Sequence, residues 1–340
     1  MSTKIIVIGD PHIRIEEELY VRHYFNSIEQ LLDQVNPDLI IILGDVLHNH
    51  EKIHSSSMNL AYTFFHLCRK RAHTFCLVGN HDAINNQIFL TDDHWMNGCK
   101  EWEQLTIVDK PIVYQHPDGL RLCLLPYVPD GRFKDALLVT DGWKTSHLLF
   151  SHQLFNGCQM GPIIASDVEE YEDDYPLCFN GHIHSYQKVK HNLICIGSSR
   201  PVGYADTQSK KVMCITATMR EDSSCKCKLK EYPIDNLVKK VITCTVSQTD
   251  QLSLSTHSDI KYVIKGTSEE LKSFKRGKLY KELVDNHIPY QLKIEIQSEK
   301  GEVHNTNVNK NKEVVTFFER LYQNIQDNQD LIAIYKELNK

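Results

Sequence analysis

KIIVIGDPH (Lys4–His12), DLIIILGDVLH (Asp38–His48) and TFCLVGNHD (Thr74–Asp82) repeat one pattern. Each is an apolar run of strand length that breaks at or near a glycine and ends in Asp, Asn or His. Because apolar residues occupy successive rather than alternate positions, such runs predict strands buried on both faces of an α/β sheet. LCFNGHIH (Leu177–His184) follows the same rule further along, and HLLFSHQ (His147–Gln153) is a similar apolar run that reaches His152 without a glycine. The segment IEEELYVRHYFNSIEQLLDQV between the first two runs has apolar residues at helical spacing, and Ser55–Lys70 predicts a second helix. RLCLLPYV, NLICIGS, KKVMCITA and KKVITCTV are later strand candidates.

Beyond about Ser255 the pattern changes to strand (KYVIKG), helix (SEELKSFKRGKLYKELVDN) and strand (PYQLKIEIQ), a compact β-α-β unit. The expected organisation is a catalytic domain over residues 1–250, a small β-α-β unit over 255–310, and a helical segment over 311–340 able to dock on a partner. The length of 340 residues, with 41% hydrophobic and 24% charged content, suits one large and one small globular domain. No run approaches the roughly 18 apolar residues that span a bilayer, and the chain enters a core strand without a charged leader, so a soluble, intracellular protein with no membrane partner is expected. The eleven cysteines are scattered, several inside strand-like runs, and imply packed thiols rather than disulfides. Cys225 and Cys227 form a CxC pair without a second pair at zinc-site spacing, which predicts an exposed strand. Residues 251–340 hold 14 Lys and Arg against 13 Asp and Glu, out of totals of 38 and 44, which leaves 24 against 31 for residues 1–250. Binding a polyanion on that acidic portion requires metal ions or a local basic patch.

The five runs end in Asp10 and His12, Asp45 and His48, Asn80 with His81 and Asp82, His152, and His182 with His184. Carboxyl ends of strands in α/β sheets are where sites assemble. These oxygen and imidazole donors, without a thiolate, suit Mn²⁺, Mg²⁺, Fe²⁺ or Zn²⁺. Two such ions need a bridging ligand, for which Asp45 is the candidate, and alternation along an extended segment would put Asp10 and His12 on one side. Two cations would neutralise a phosphate, lower the pKa of a water and direct it in line at phosphorus. His81 is the natural general acid, and Asp82 either orients it or caps a following helix. The glycines before the ligands are read as turn residues. His50, His54, His66, His73, His94, His116, His147 and His191 are read as packed or surface side chains.

D10-P-H12, G44-D45-V-L-H48, G79-N80-H81-D82, His152 and G181-H182-I-H184, in this order, resemble the five motifs of calcineurin-like metallophosphoesterases. The resemblance implies a four-layer α-β-β-α sandwich with a small α+β C-terminal capping domain. It also implies one ion on Asp10, His12, Asp45 and His184, and another on Asp45, Asn80, His152 and His182. GDVLHNH and GNHD depart from the GDxVDRG and GNHE of the protein phosphatases in this superfamily. With FSHQ and IGSSRPVGYAD, they are more similar to the SbcD-type nuclease subunit of DNA double-strand-break repair, a family that includes recombination nucleases of phages and large viruses. That resemblance implies an exo- and endonuclease in repair or recombination, most often with Mn²⁺, in which His48 and His81 act together on the scissile phosphate. It also implies a capping domain that contacts DNA and C-terminal helices that bind an SbcC-type ATPase. A homodimer through helices flanking the site is left open. Lys272, Lys275, Arg276 and Lys278 on the small unit's helix could follow a DNA backbone, the alternative being a solvated face. Arg200 and Tyr204 could approach a phosphate or base, or belong to a turn around Pro201 and Gly203. The competing function is a small-substrate phosphodiesterase or nucleotide phosphatase.

Overall fold

A computed structural model describes residues 2–294, apart from positions 51, 205, 207–208, 238, 255–259 and 287. The expected helical segment at 311–340, and the end of the small unit from 295, lie outside the described residues.

Two six-stranded sheets form the body. The first has the order β14-β13-β1-β2-β3-β4. Here β1 is Ser2–Ile8, β2 Leu39–Ile42, β3 His73–Leu77, β4 Leu105–Val108, β13 Lys211–Met219 and β14 Cys225–Pro233. The second has the order β11-β12-β10-β7-β6-β5. Its strands are β5 Ile112–Gln115, β6 Arg121–Leu124, β7 Leu148–Ser151, β10 Leu177–Asn180, β11 Gln187–Lys190 and β12 Leu193–Cys195. The central strands β1 to β4 run parallel, as do β6, β7, β10 and β12, while β13, β5 and β11 pair antiparallel. Parallel strands present their carboxyl ends on one side, which brings the motif-bearing loops together.

Strand β1 shows why the apolar runs are continuous. Ile5 and Val7 enter the core between the sheets, whereas Ile6 and Ile8 enter the core beneath α1 (Glu18–Val35) and α2 (Ser55–Arg69). Burying each such side chain is worth roughly 1.5–3 kcal/mol, so both faces demand apolar residues. Helix α1 buries Val21, Tyr24, Phe25, Ile28, Leu31, Leu32 and Val35 and ends at Asn36, whose left-handed backbone (φ 48°) lets its N–H bond the Leu32 carbonyl at 2.9 Å. A third core lies on the outer face of the second sheet. There α3 (Phe133–Leu138) packs beside Phe155 and Tyr171. The architecture is the α-β-β-α sandwich, with a thin outer layer on the second sheet.

A two-stranded hairpin, β8 (Gln159–Met160) and β9 (Ile163–Ile164), projects from the second sheet. Strand β14 carries the CxC pair as expected, both thiols half-buried. The small unit is a parallel sheet of β15 (Lys240–Thr245), β16 (Ile260–Gly266) and β17 (Tyr290–Ile294) with α4 (Ser268–Phe274) and α5 (Lys278–Asp285). Strand β15 corrects the boundary at 250: KKVITCTV pairs with β16, so the small unit already begins at Lys240 rather than at 255. The single expected helix is also two, with Gly277 as the N-cap of the second. Among the described residues no helix is long and apolar enough to cross a membrane.

Candidate metal centre and active site

The first sheet delivers Asp10 and His12 after β1, Asp45 and His48 after β2, and Asn80, His81 and Asp82 after β3. The second delivers His152 after β7, and His182 and His184 after β10. Asp10, His12, Asp45 and His152 are buried at 1% exposure or less. His12 Nε2 lies 2.9 Å from His184 Nε2 and 3.6 Å from Asp45 Oδ2. His152 Nε2 lies 3.3 Å from Asp45 Oδ1 and 3.0 Å from Asn80 Oδ1, which is 2.8 Å from His182 Nδ1. All seven expected ligands therefore converge, with Asp45 touching both sets. Donor atoms of Asp10, His12 and His184 form one group within 4.8 Å, those of Asp45, His152 and His182 a second, and those of His12, Asp45 and His81 a third.

These groups fit divalent cations on the chemistry of the unpaired donors. Both carboxylate oxygens of Asp10 are buried with no hydrogen-bond partner, an arrangement that is costly unless a cation or proton answers them. Burial, aided by the Asp45 charge and opposed by His152, pushes the Asp10 carboxyl up to about 7. Burial pushes His12 well below the ordinary imidazole range and His182 down to about 3, leaving neutral rings whose lone pairs can ligate. His152 goes the other way: burial opposes its charge, but the Asp45 and Asp10 carboxylates lift it to about 9. Those carboxylates seek positive charge, which a bound cation would supply in place of an imidazolium. His152 Nδ1 lies 2.7 Å from the Leu43 carbonyl, so Nδ1–H donates there and Nε2 is turned inward.

The backbone corrects the extended geometry expected of DxH. Asp10 (φ 27°), His12 (φ 44°), Asp45 (φ 49°) and His182 (φ 69°) are all left-handed, where a non-glycine residue costs about 1–3 kcal/mol. His12 N bonds the Asp45 carbonyl at 2.9 Å and Ile13 N bonds the Val46 carbonyl at 2.7 Å, so the two loops fix one another. Gly79 is required by proximity rather than by a turn, since a Cβ there would stand 2.3 Å from Asp45 N and Oδ1.

Asp82 performs neither expected role. It accepts from Gly79 N (3.1 Å), Val46 N (3.1 Å), Leu47 N (3.3 Å) and Trp95 Nε1 (2.9 Å), clamping the second and third motif loops to each other. His81 is oriented instead by Nδ1 at 2.6 Å from the His48 carbonyl, and its backbone N–H bonds Asp45 Oδ1 at 2.9 Å. Its Nε2 faces inward, 3.9 Å from Asp45 Oδ2, and the side chain is 25% exposed. The His48 ring stacks on that of His81 at 5.8 Å, and burial with the Arg14 charge lowers His48 to about 4.

Arg200 is also corrected. At 1% exposure it cannot reach DNA; it donates to the His12 carbonyl (2.8 Å) and the Pro11 carbonyl (3.2 Å) and pairs with buried Glu17, holding the first motif loop from behind. Lys272, Lys275, Arg276 and Lys278 are exposed, but they straddle the break between α4 and α5 rather than lining one helix. Two residues were not foreseen. Tyr127, after β6, stacks on His182 at 6.0 Å, and exposed His50, set aside as a surface residue, has its ring 4.0 Å from that of His81. Tyr127 follows a parallel strand at its carboxyl end, the one signal that could have drawn attention to it.

The calcineurin-like phosphoesterase family matches residues 3–186, which contain every one of these ligand positions. The chain belongs to the calcineurin-like phosphoesterase family. This calcineurin-like phosphoesterase is 34% identical over 291 residues to protein 244L of Invertebrate iridescent virus 6, named as a phosphoesterase, covering 82% of this chain and 99% of that protein. It is 32% identical over 304 residues to protein 078R of Invertebrate iridescent virus 3, also named as a phosphoesterase, covering 88% of this chain and 86% of the relative. A solved phosphatase from Mycoplasma pneumoniae aligns with 69% of this chain and 95% of its own at 9% identity and a TM-score of 0.36, too distant to add to the assignment.

Proposed function

We propose that this phosphoesterase is a divalent-metal-dependent phosphodiesterase acting on DNA, an exo- and endonuclease of repair or recombination, with Mn²⁺ as the working ion. The observation that carries this reading is the inward-facing Nε2 of His81 beside seven converging ligand side chains, with His48 stacked against it. Asp10, His12, Asp45 and His184 would hold one cation, and Asp45, Asn80, His152 and His182 the other. When bound, the cations would supply charge neutralisation of the phosphate and activation of the attacking water.

The chain's own part is positional and protolytic. Asp45 accepts the His81 N–H and so fixes the proton donor relative to the ligands. The His48 carbonyl holds His81 Nδ1–H, which leaves Nε2 to deliver a proton to the leaving oxygen. Asp82 keeps both loops in register. The exposed basic turn Lys272–Lys278 of the small unit would contact the DNA backbone, and an SbcC-type ATPase would dock on residues 311–340.

The acidic balance of residues 1–250 favours a second reading, a small-substrate phosphodiesterase with the same metals. The two separate on end-labelled duplex and single-stranded DNA with Mn²⁺ or EDTA, beside bis-p-nitrophenyl phosphate. Metal-dependent cutting of DNA that His81→Ala abolishes supports the nuclease. Brisk hydrolysis of the small diester with intact DNA overturns it.

A further inference from the structure

Behind the His12 loop, one carboxylate faces three cations. Glu17, 8% exposed, pairs with Arg14, Arg200 and Lys239, and among the described residues no second acid joins the cluster. Arg200 and Lys239 are spent there, their side chains only 2% and 3% exposed and both directed at Glu17, with further bonds to backbone carbonyls. Arg14 differs. It reaches Glu17 and the Val202 carbonyl through the same nitrogen, Nη2, while its Nε is buried without any hydrogen-bond partner and its side chain is 21% exposed.

Its place on the surface follows from the backbone. Ile13 and Leu47 form a parallel bridge and His48 N bonds the Ile13 carbonyl at 3.2 Å, so Arg14 leaves the chain beside His48, whose ring Nδ1 lies 3.4 Å from that of His12. After burial, the Arg14 charge is the leading influence on the His48 ring. A planar guanidinium held through Nη2 by Glu17, with its side chain 21% exposed, keeps an exposed edge that is suited to a phosphate oxygen. The cluster's excess of positive charge is the local patch that an otherwise acidic catalytic body needs to hold a polyanion.

We propose that Arg14 forms a second phosphate subsite, which binds a non-scissile phosphate next to the one held at the ligand cluster and so selects phosphodiesters carrying several phosphates over single-phosphate esters. The subsite rests on the phosphodiesterase reading and deepens it by naming a residue that would select polynucleotide-like substrates.

The test compares wild type, Arg14→Gln and Arg14→Lys in two measurements. One is hydrolysis of bis-p-nitrophenyl phosphate and of a labelled oligonucleotide; the other is oligonucleotide binding by fluorescence anisotropy without catalytic metal, over a salt series. In Arg14→Gln the oligonucleotide KM should rise about tenfold more than the small-diester KM, and the salt slope of binding should fall by about one, while Arg14→Lys keeps most of that slope. Parallel loss on both substrates with a lowered melting temperature, or an unchanged salt slope, would make Arg14 a structural partner of Glu17 only and overturn the subsite. Wild type that fails to bind the oligonucleotide also overturns it. If neither ester is hydrolysed but the slope still falls in Arg14→Gln, the phosphodiesterase reading fails and the subsite stands.

Discussion

The two sheets contribute unequal halves of one site. The first sheet's half is built of left-handed residues, Asp10, His12 and Asp45, held by charged groups: Asp82 clamps four N–H donors and Arg200 grips the His12 loop. The second sheet's half is held by a neutral residue. Fully buried Asn180 accepts from Ser151 Oγ (2.7 Å) and Gln153 N (3.0 Å), and donates to the Gln153 carbonyl (2.8 Å) and the Gly181 carbonyl (2.9 Å). An amide matches two donors and two acceptors, whereas only a carboxylate can accept four donors at once. The half that carries His81 and Asp45, the proposed proton donor and bridging ligand, thus holds three of the four left-handed site residues, His182 being the fourth, and its loops are fixed by buried charge, whereas the loops of the other half are fixed by a neutral amide.

The largest effect should fall on chemistry in the first half. His81→Ala is expected to lower kcat about 10²–10⁴-fold with little change in melting temperature. A loss of only a few-fold would remove the chemical distinction between the halves. Next, Asp82→Asn turns an amide donor toward backbone N–H groups in a buried site, and should cost about 1–3 kcal/mol in denaturant unfolding as well as activity. Asn180→Asp puts an unpaired charge and two lost donors in the second half. It should cost stability of the same order while disturbing the Gly181 turn ahead of His182; neutrality would contradict the clamp.

The smallest expected effect is a pH dependence behind the first half. Burial opposes the Glu17 charge, but Arg200, Arg14 and Lys239 together hold its carboxyl below the ordinary range. A carboxylate depressed in the folded state stabilises above its unfolded pKa, and that contribution fades as the pH falls through the folded value. The stability advantage of wild type over Glu17→Gln should be full near neutral pH and shrink on acidification below about 4. A constant difference would mean that Glu17 contributes shape rather than charge.

The clusters at Asp10, Asp45, Asn80, His152 and His182 were legible because each ends a doubly buried apolar run, a local signal that burial of Ile5 through Ile8 on both faces explains. The roles of Asp82 and Arg200 were not, because their partners at Val46 and His12 are distant in sequence and are joined only by the strand order. The boundary at 250 failed for a related reason. KKVITCTV looks like any core strand, and its neighbour is fixed by pairing with Ile260–Lys265. Short edge strands such as Ile112–Gln115, half exposed and four residues long, carry too little pattern to stand out.

The proposed chemistry depends on two cations sharing Asp45. Metal-free protein titrated with Mn²⁺ by calorimetry tests it directly, with Asp10→Ala, Asn80→Ala and Asp45→Ala alongside. Two ions per chain in wild type, one in each of the first two variants and none held tightly by the third is the predicted result. A single ion in wild type, or two undiminished sites in Asp45→Ala, would contradict it.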